Sequence, residues 1–417
     1  MTCDCVKCAR MNYDIAIVGA GTAGAAAALF LARAGHRVSL FERVANPMPV
    51  GTGILLQPTG LAILKRLDLL DEALLLGARV ERLLGHNARG RLVMDMRYCD
   101  WREGSFGLGM HRGALFNLLQ SRLEPAGVTC CYGRAMNAIH RTADKLLLRD
   151  ESGAELGPFD LIVAADGMRS TMRKASGIPA SVTPYPWGAV WAICETPAGI
   201  APDILGQRYR AAREMIGLLP TGRLAADGAP LTSLFWSLPT AEFAAWQARG
   251  LAEWKQEVLR LWPGLESLLA NFTDLDQLRL AEYCDVRMPR WHNNGVVVIG
   301  DAAHATSPQL GQGTNLALFD AFVLNEVLQQ ENNIDAALAR YTKTRGDHLR
   351  YYQWASRMLT PLFQSRQRVL PVLRDLLMGP MGRWPGLRGH SAETLVGIKA
   401  GMVFGKVLLP EDRQIFK

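Results

Sequence analysis

The chain reads as an α/β protein: a doubly wound parallel sheet, a β-rich insertion that forms a second sheet, and a helical C-terminal region. Three observations lead there. A strand, a glycine-rich turn, a helix and a second strand follow one another between Tyr13 and Glu42. A further strand runs into a glycine-rich helix start at 295–320, and the stretch between these units is rich in alternating, β-branched and aromatic segments. The 417 residues give a prior of two or three domains, and a composition 49% apolar and 20% charged can bury a core, which excludes an intrinsically disordered chain.

The N-terminal end comes first. Eight cysteines, irregularly placed, do not make a disulfide scaffold and point to a reducing, cytoplasmic setting. Cys3, Cys5 and Cys8 cluster without a second ligand pair, so residues 1–10 are expected to be a disordered extension and no metal site is assigned. Ile15 to Ala32 runs 18 residues without a charge, the length of a membrane-span candidate. Gly19, Gly21 and Gly24 interrupt it, and no basic segment with a cleavage site accompanies it, so no transmembrane segment is expected.

Tyr13 to Val18 is a short buried strand, Gly19-Ala20-Gly21-Thr22-Ala23-Gly24 is a G-x-G-x-x-G turn, and Ala25 to Ala34 continues as a helix ending near Gly35. Gly19 permits the tight turn, Gly21 lets backbone amides approach a pyrophosphate, and Gly24 lets helix and strand pack closely. The helix start offers N–H groups and the positive end of a dipole, worth about 0.3 to 1 kcal/mol to an anion. A second strand, Val38 to Phe41, ends on Glu42, 23 residues after Gly19, where a carboxylate accepts hydrogen bonds from a ribose; Arg43 follows it. This order of elements predicts a Rossmann-like dinucleotide site and leaves open which dinucleotide.

Gly295 to Gly300 reads as another strand. It runs into Asp301-Ala302-Ala303-His304, then Pro308, then Gly311-Gln312-Gly313-Thr314-Asn315, which opens a helix through Asp320. A carboxylate at a strand end holds a polyol hydroxyl, and a glycine-rich helix start offers amides to an electron-rich ring edge. Asp160 to Ala165 is a strand followed by Asp166-Gly167, and Gly109 to Leu115 places Arg112 at a helix start. Two separated dinucleotide elements suit a long, extended cofactor.

On these residues the chain resembles the FAD-dependent aromatic hydroxylases related to p-hydroxybenzoate hydroxylase, the single-component flavoprotein monooxygenases, over residues 14 to about 320. The resemblance implies FAD as cofactor, NAD(P)H as co-substrate, O2 as oxidant and an aromatic or other electron-rich small molecule as substrate. It assigns Glu42 to the adenosine ribose, Arg112 to the ribityl and pyrophosphate region, Asp301 to the ribityl hydroxyls, and Pro308 and Gly311 to the same signature. Amides around Gly313, Thr314 and Asn315 would lie near the pyrimidine end of the flavin, which carries negative charge when reduced. Asp166 matches the family's D-G motif, linked to FAD and nicotinamide binding, and also reads as an ordinary turn. His304 belongs to the signature and is expected to order its loop rather than move protons. In the family, reduced nicotinamide gives hydride to FAD, oxygen adds at flavin C4a, and the hydroperoxide transfers one oxygen atom, with no metal and no protein nucleophile.

One departure limits the assignment. Several relatives carry a histidine base in the loop after the second strand, but Gly51-Thr52-Gly53-Ile54-Leu55-Leu56-Gln57-Pro58 contains none. No catalytic acid or base is assigned: the substrate activates itself, as an amine or enolised ring would, or another residue such as His111 serves. A flavin-dependent halogenase or reductase and a non-catalytic flavin-binding protein are the alternatives. The halogenase W-x-W-x-I-P signature is not matched by Trp187-Gly188-Ala189-Val190-Trp191-Ala192.

Arg79 to Arg97 reads as a hairpin, Tyr185 to Cys194, Glu214 to Leu219 and Leu231 to Leu238 as strands, and Ala241 to Gln247 and Ala252 to Leu261 as helices. By resemblance this is the substrate lobe. Trp187, Ala189, Trp191 and Ile193 share one strand face, which either lines a flat apolar pocket or packs on helices; Trp191, Phe235 and Trp236 are the candidate substrate contacts. The expected organisation is a discontinuous cofactor domain (11–78, 102–182 and 287–345), a substrate domain (79–101 and 183–286) and a helical region (346–417) that Pro361, Pro371, Pro380 and Pro385 break into short pieces. Residues 340–417 hold 14 Lys/Arg and 5 Asp/Glu. A solvated helical cover is expected there, with weak contact to an anionic membrane surface or acidic partner as the sharper alternative. Nucleic acid is not an expected partner, since no binding module accompanies the charge.

Overall fold

A computed structural model describes residues 12–48, 52–382, 384–401 and 405–407. The expected 1–10 extension with Cys3, Cys5 and Cys8 lies outside the described residues, as does Gly51. A six-stranded sheet has the spatial order His292–Asn293, Val296–Val298, Leu161–Ala164, Asp14–Val18, Arg37–Glu42 and Thr129–Tyr132. Its neighbours are parallel except at the His292–Asn293 edge. A parallel sheet is covered on both faces, which is why Ile15, Ile17, Ile162, Val163, Val296 and Val297 form uninterrupted buried runs. The Thr22–Arg33 helix packs on the Gly313–Gln330 helix, so the two glycine-rich units are in direct contact.

The β-rich insertion forms a seven-stranded sheet in the order Arg279–Ala281, Trp187–Glu195, Leu231–Pro239, Glu214–Gly222, Ile204–Arg210, Arg82–Asn87 and Leu92–Arg97. The expected hairpin is its far edge and joins in parallel to Ile204–Arg210. The inner face meets a small sheet of Gly53–Leu56, Gly107–His111 and Ala78–Val80. The approach is close: a Cβ on Gly53 would overlap Ser233, and one on Gly109 would overlap Pro220 O. The outer face buries Val190, Ala192, Leu234 and Trp236 against Trp246, Trp254 and Val258 of a second core. The two helices expected at Ala241 to Gln247 and Ala252 to Leu261 are present within Phe243–Leu261, which Gly250 divides with a non-helical φ of +87°.

The C-terminal region is less fragmented than its prolines suggest. Ile334–Phe363 is one helix of 30 residues that runs across the expected 345/346 boundary and through Pro361. Pro371 sits in the first turn of Val369–Met381 and Pro385 begins Pro385–Val396, positions whose N–H has no intrahelical acceptor. Pro361 and Pro380 fall in last turns, where each removes a single backbone bond. Among the described residues no helix is long and apolar enough to cross a membrane.

Candidate functional site

The parallel strands release their turns at the carboxyl end of the sheet, where ligands of doubly wound sheets bind. Asp14–Val18 ends at Gly19, whose φ of +102° favours glycine and whose N–H donates to Phe41 O at 2.8 Å. A Cβ on Gly24 would overlap Gly19 O, so this glycine is needed where helix crosses turn. Gly21 differs: a Cβ there would meet nothing within 4 Å. The Thr22–Arg33 helix behind it has no side-chain cap and no acid in its first turn, so these N–H groups remain available to an anion. Glu42 braces the turn, accepting from Ala20 N–H at 2.9 Å and Val44 N–H at 3.0 Å, with Arg43 exposed beside it.

The second unit lies alongside. A Cβ on Gly300 would come within 2.7 Å of Ala23 Cβ, and one on Gly19 would crowd Ala165 and Asp166, so three turns meet at one place. Asp301 is exposed there, with its Oδ1 3.8 Å from a Cβ built on Gly313. The Gly313–Gln330 helix, like the first, has no side-chain cap; Pro308 is exposed before it, and Gly311 turns the chain at φ +61°. Thr314 is half-buried and Asn315 buried. Asn315 accepts from Gln57 N–H at 2.8 Å and donates to Leu55 O at 3.1 Å, fixing this helix start to the Gly53–Leu56 strand.

Two residues have other engagements. Asp166 accepts from Thr171 N–H at 2.8 Å, Met172 N–H at 3.0 Å and the Ser170 hydroxyl, so its carboxylate is committed to the start of the Thr171–Ala175 helix. His111 Nδ1 accepts from Gly113 N–H at 3.0 Å and caps the Arg112–Gln120 helix. Burial lowers its pKa, so the ring is neutral with its proton on Nε2; it caps and is not poised to accept a proton. Arg112 is exposed, and its backbone N–H donates to Thr52 O at 3.1 Å, which ties it to the glycine-containing loop.

Behind the second turn is a buried charge network that the sequence reading missed. Asp320 Oδ2 accepts from Gly300 N–H at 2.8 Å and His304 Nε2 at 2.6 Å, and Oδ1 accepts from Arg345 Nε at 2.7 Å. Burial opposes ionisation of Asp320, but His304, Arg345 and the hydrogen bonds outweigh it and hold the carboxyl below its usual range. Arg345 also donates to His348 Nδ1, and His348 Nε2–H donates to Gly397 O at 2.8 Å. The available signal was one acid within the apolar run Leu316-Ala317-Leu318-Phe319-Asp320-Ala321-Phe322; its partners Gly300, His304 and Arg345 lie 20, 16 and 25 residues away.

On the substrate side, Trp191 and Phe235 are directly opposite in the ladder, with ring centroids 5.0 Å apart on the inner face. The Trp191 indole N–H donates to Tyr283 Oη at 2.9 Å, and burial pushes the Tyr283 phenol up to about 12. Val286 N–H donates to Ala305 O at 2.9 Å, so the strand after Tyr283 adjoins the loop leading to Pro308. Trp236 is corrected as a candidate contact: alternation turns it outward, and it packs in the second core with Trp246 and Trp254.

Comparison with known proteins agrees with this geometry. Residues 12–351 match a family model described as FAD binding domain. The chain is 29% identical over 358 residues to kynurenine 3-monooxygenase of Salinispora arenicola, covering 81% of this chain and 77% of that one. It is 28% identical over 412 residues to 6-methylpretetramide 4-monooxygenase of Streptomyces rimosus, covering 90% of each. The fold superposes on 2-methyl-3-hydroxypyridine-5-carboxylic acid oxygenase with a TM-score of 0.76 at 23% identity, over 92% of this chain and 96% of that one. The residues at the carboxyl end of the sheet fit such a cofactor: open space faces Gly21, and two uncapped helix starts lie side by side. The chain belongs to the FAD binding domain family and is an FAD-dependent monooxygenase, an oxidoreductase.

Proposed function

We propose that this enzyme hydroxylates a small aromatic or heteroaromatic molecule in the cytoplasm, using NAD(P)H and O2. The observation that carries the reading is the meeting of the Gly19–Gly24, Asp166 and Gly300–Asp301 turns at the carboxyl ends of neighbouring strands. Glu42 would hold the adenosine ribose, Gly21 to Gly24 the pyrophosphate, Arg112 its ribityl side, and Asp301 the ribityl hydroxyls. When bound, FAD supplies two-electron redox chemistry, taking hydride from NAD(P)H and activating O2. One oxygen atom enters the substrate; the other leaves as water, with two electrons from the nicotinamide and two protons.

The chain's own residues position and stabilise. The amides at Gly313, Thr314 and Asn315 favour negative charge, and Asn315 holds that helix start against Leu55 and Gln57. Trp191, fixed by Tyr283, and Phe235 supply a flat apolar wall. The Gly53–Pro58 stretch offers no base and His111 is engaged as a cap, which favours a substrate whose ring carries its own amino or enolate activation. The free thiols of Cys99, Cys130, Cys131, Cys194 and Cys284 support a reducing compartment.

The test is a panel of aromatic and heteroaromatic metabolites, screened for accelerated NADH or NADPH oxidation with labelled O2 and mass spectrometry of products. Label in an organic product is the expected result; substrate-independent peroxide release across the whole panel would sink the assignment. Flavin titration of Asp301→Ala and Gly21→Val is expected to show affinity lower by about tenfold or more in each, about 1.4 kcal/mol or above. Unchanged affinity in both would overturn the cofactor assignments.

A further inference from the structure

The Val369–Met381 helix is amphipathic with its faces reversed. Val369, Val372, Leu373, Leu376 and Leu377 recur at the i, i+3, i+4, i+7, i+8 spacing of a core-facing stripe. All five are exposed, by 44% to 66%. The face turned to the protein instead carries Arg374, fully buried, with its guanidinium 5.0 Å from the Tyr209 ring centroid and 5.1 Å from that of Phe363. Arg374 donates to Leu362 O at 2.8 Å and to Asp375 at 2.6 Å, and Asp375 accepts from Asn87 Nδ2 at 2.9 Å. These anchors fix the helix with its leucines outward. Met381, Trp384 and Leu387 extend the exposed surface onto the start of Pro385–Val396, and a groove of about 150 Å³ beside Met94, Met96 and Met378 continues it inward. An apolar surface of this extent marks a contact site.

Charge selects what covers it. From 364 to 392 the sequence has five arginines and one acid, and that acid, Asp375, is paired with the buried Arg374. Arg366, Arg368 and Arg388 are exposed at the two ends of the stripe, where Arg366 also reaches Glu242 at 3.3 Å and Arg388 reaches Asp100 at 3.5 Å, surface pairs that hold their charge only weakly. A second copy docked on this face by a twofold axis would bring like-charged rims together. Anionic headgroups would pair with Arg368 and compete with Glu242 and Asp100 for Arg366 and Arg388, while the leucines enter the acyl boundary and Trp384 sits at headgroup level. We propose that this face docks flat on an anionic phospholipid surface.

Flotation of the full-length, FAD-loaded protein tests this, using vesicles of phosphatidylcholine alone and vesicles with about a third phosphatidylglycerol. The protein is expected to float with the anionic vesicles only and to be released by high salt. Leu373→Ser/Leu376→Ser and Arg366→Glu/Arg368→Glu are each expected to cut the bound fraction by about tenfold, with circular dichroism and flavin absorbance unchanged. Absence of flotation with anionic vesicles, or equal binding to both kinds, overturns the proposal. So does a wild-type dimer in sedimentation that Leu373→Ser/Leu376→Ser dissociates while neither protein binds vesicles. None of these readouts depends on the substrate, so the membrane and hydroxylation readings fail separately.

Discussion

The two glycine-rich turns offer the same kind of backbone to one ligand, yet they are held by different means. The first is secured locally: Gly19 bonds to Phe41, Gly24 passes under Gly19, and Glu42 accepts from Ala20 and Val44, all within residues 19–44. The second is secured from a distance, because Gly300 N–H donates to Asp320, and Asp320 is hydrogen-bonded by His304 and ion-paired with Arg345. The chain of contacts continues through His348 to Gly397, beyond the last residue of the family match at 351. A turn built by neighbours in sequence needs only its own segment to form; a turn built on a buried ion pair depends on the C-terminal region being in place.

Arg345→Met strikes the support of the second turn directly. Removing one partner of a buried pair costs about 3–5 kcal/mol; here Asp320 Oδ1 would lose its partner while Oδ2 kept Gly300 N–H and His304, which sets that range as the upper bound. The expected outcome is a large fall in thermal midpoint, with flavin affinity lost through the second turn while the first keeps its backbone geometry. Hydrogen exchange reads this directly: protection should drop around 296–330 and remain at 14–42. Uniform loss of protection across both segments would show that the turns are not independently supported.

The same support is sensitive to pH. Burial first, then the charge of Arg345, hold the His348 pKa well below its ordinary 6.5. The folded ring is neutral, with Nε2–H donating to Gly397 O and Nδ1 accepting from Arg345. Below pH 6.5 the unfolded chain binds a proton here that the folded chain does not, so stability falls as pH drops, by at most about 1.4 kcal/mol per pH unit. Asp320 acts lower: its depressed pKa gives stability present above its ordinary 3.8 and lost beneath it. Between these limits His348→Gln, whose amide can donate to Gly397 and accept from Arg345, should remove part of the slope. Denaturant unfolding at several pH values checks this, and parallel slopes for both proteins would refute it. The comparison between them matters because burial also depresses His36, His111 and His292.

The same contrast explains what the sequence made legible. The first turn could be read almost in full, since Gly19, Gly21, Gly24 and Glu42 sit at fixed short offsets imposed by one strand–turn–helix–strand unit. The second turn was readable at Asp301 and Gly311 to Asn315, but not in its support, because nothing local joins Asp320 to Arg345 or Gln57 to Asn315. Strand alternation separated the faces of Trp187–Glu195 without saying which way the partner strand turned, which is how Trp236 entered beside Phe235. Proline positions were read as breaks because composition does not show whether a proline falls in a first turn, where it is harmless, or in mid-helix. The leucines of Val369–Met381 were visible as an apolar pattern; their outward direction was set by Arg374 meeting Tyr209 and Phe363.

The smallest expected effect lies in the locally built turn. Glu42 uses both carboxylate oxygens, one on Ala20 N–H and one on Val44 N–H. Glu42→Gln keeps the shape but replaces one acceptor by a donor, so one of those N–H groups loses its partner at a half-buried site. A hydrogen bond to a charged group is worth about 1.5–3 kcal/mol, and solvent at this half-buried site can replace much of it, so the stability change should fall below that range. Flavin affinity should respond more, because the amide also loses the charge-assisted acceptance of ribose hydroxyls proposed for this position. Paired measurements, denaturant unfolding of the flavin-free protein and flavin titration, separate the two roles. A drop in stability as large as that of Arg345→Met, with affinity intact, would mean that the first turn too rests on a support beyond its own segment.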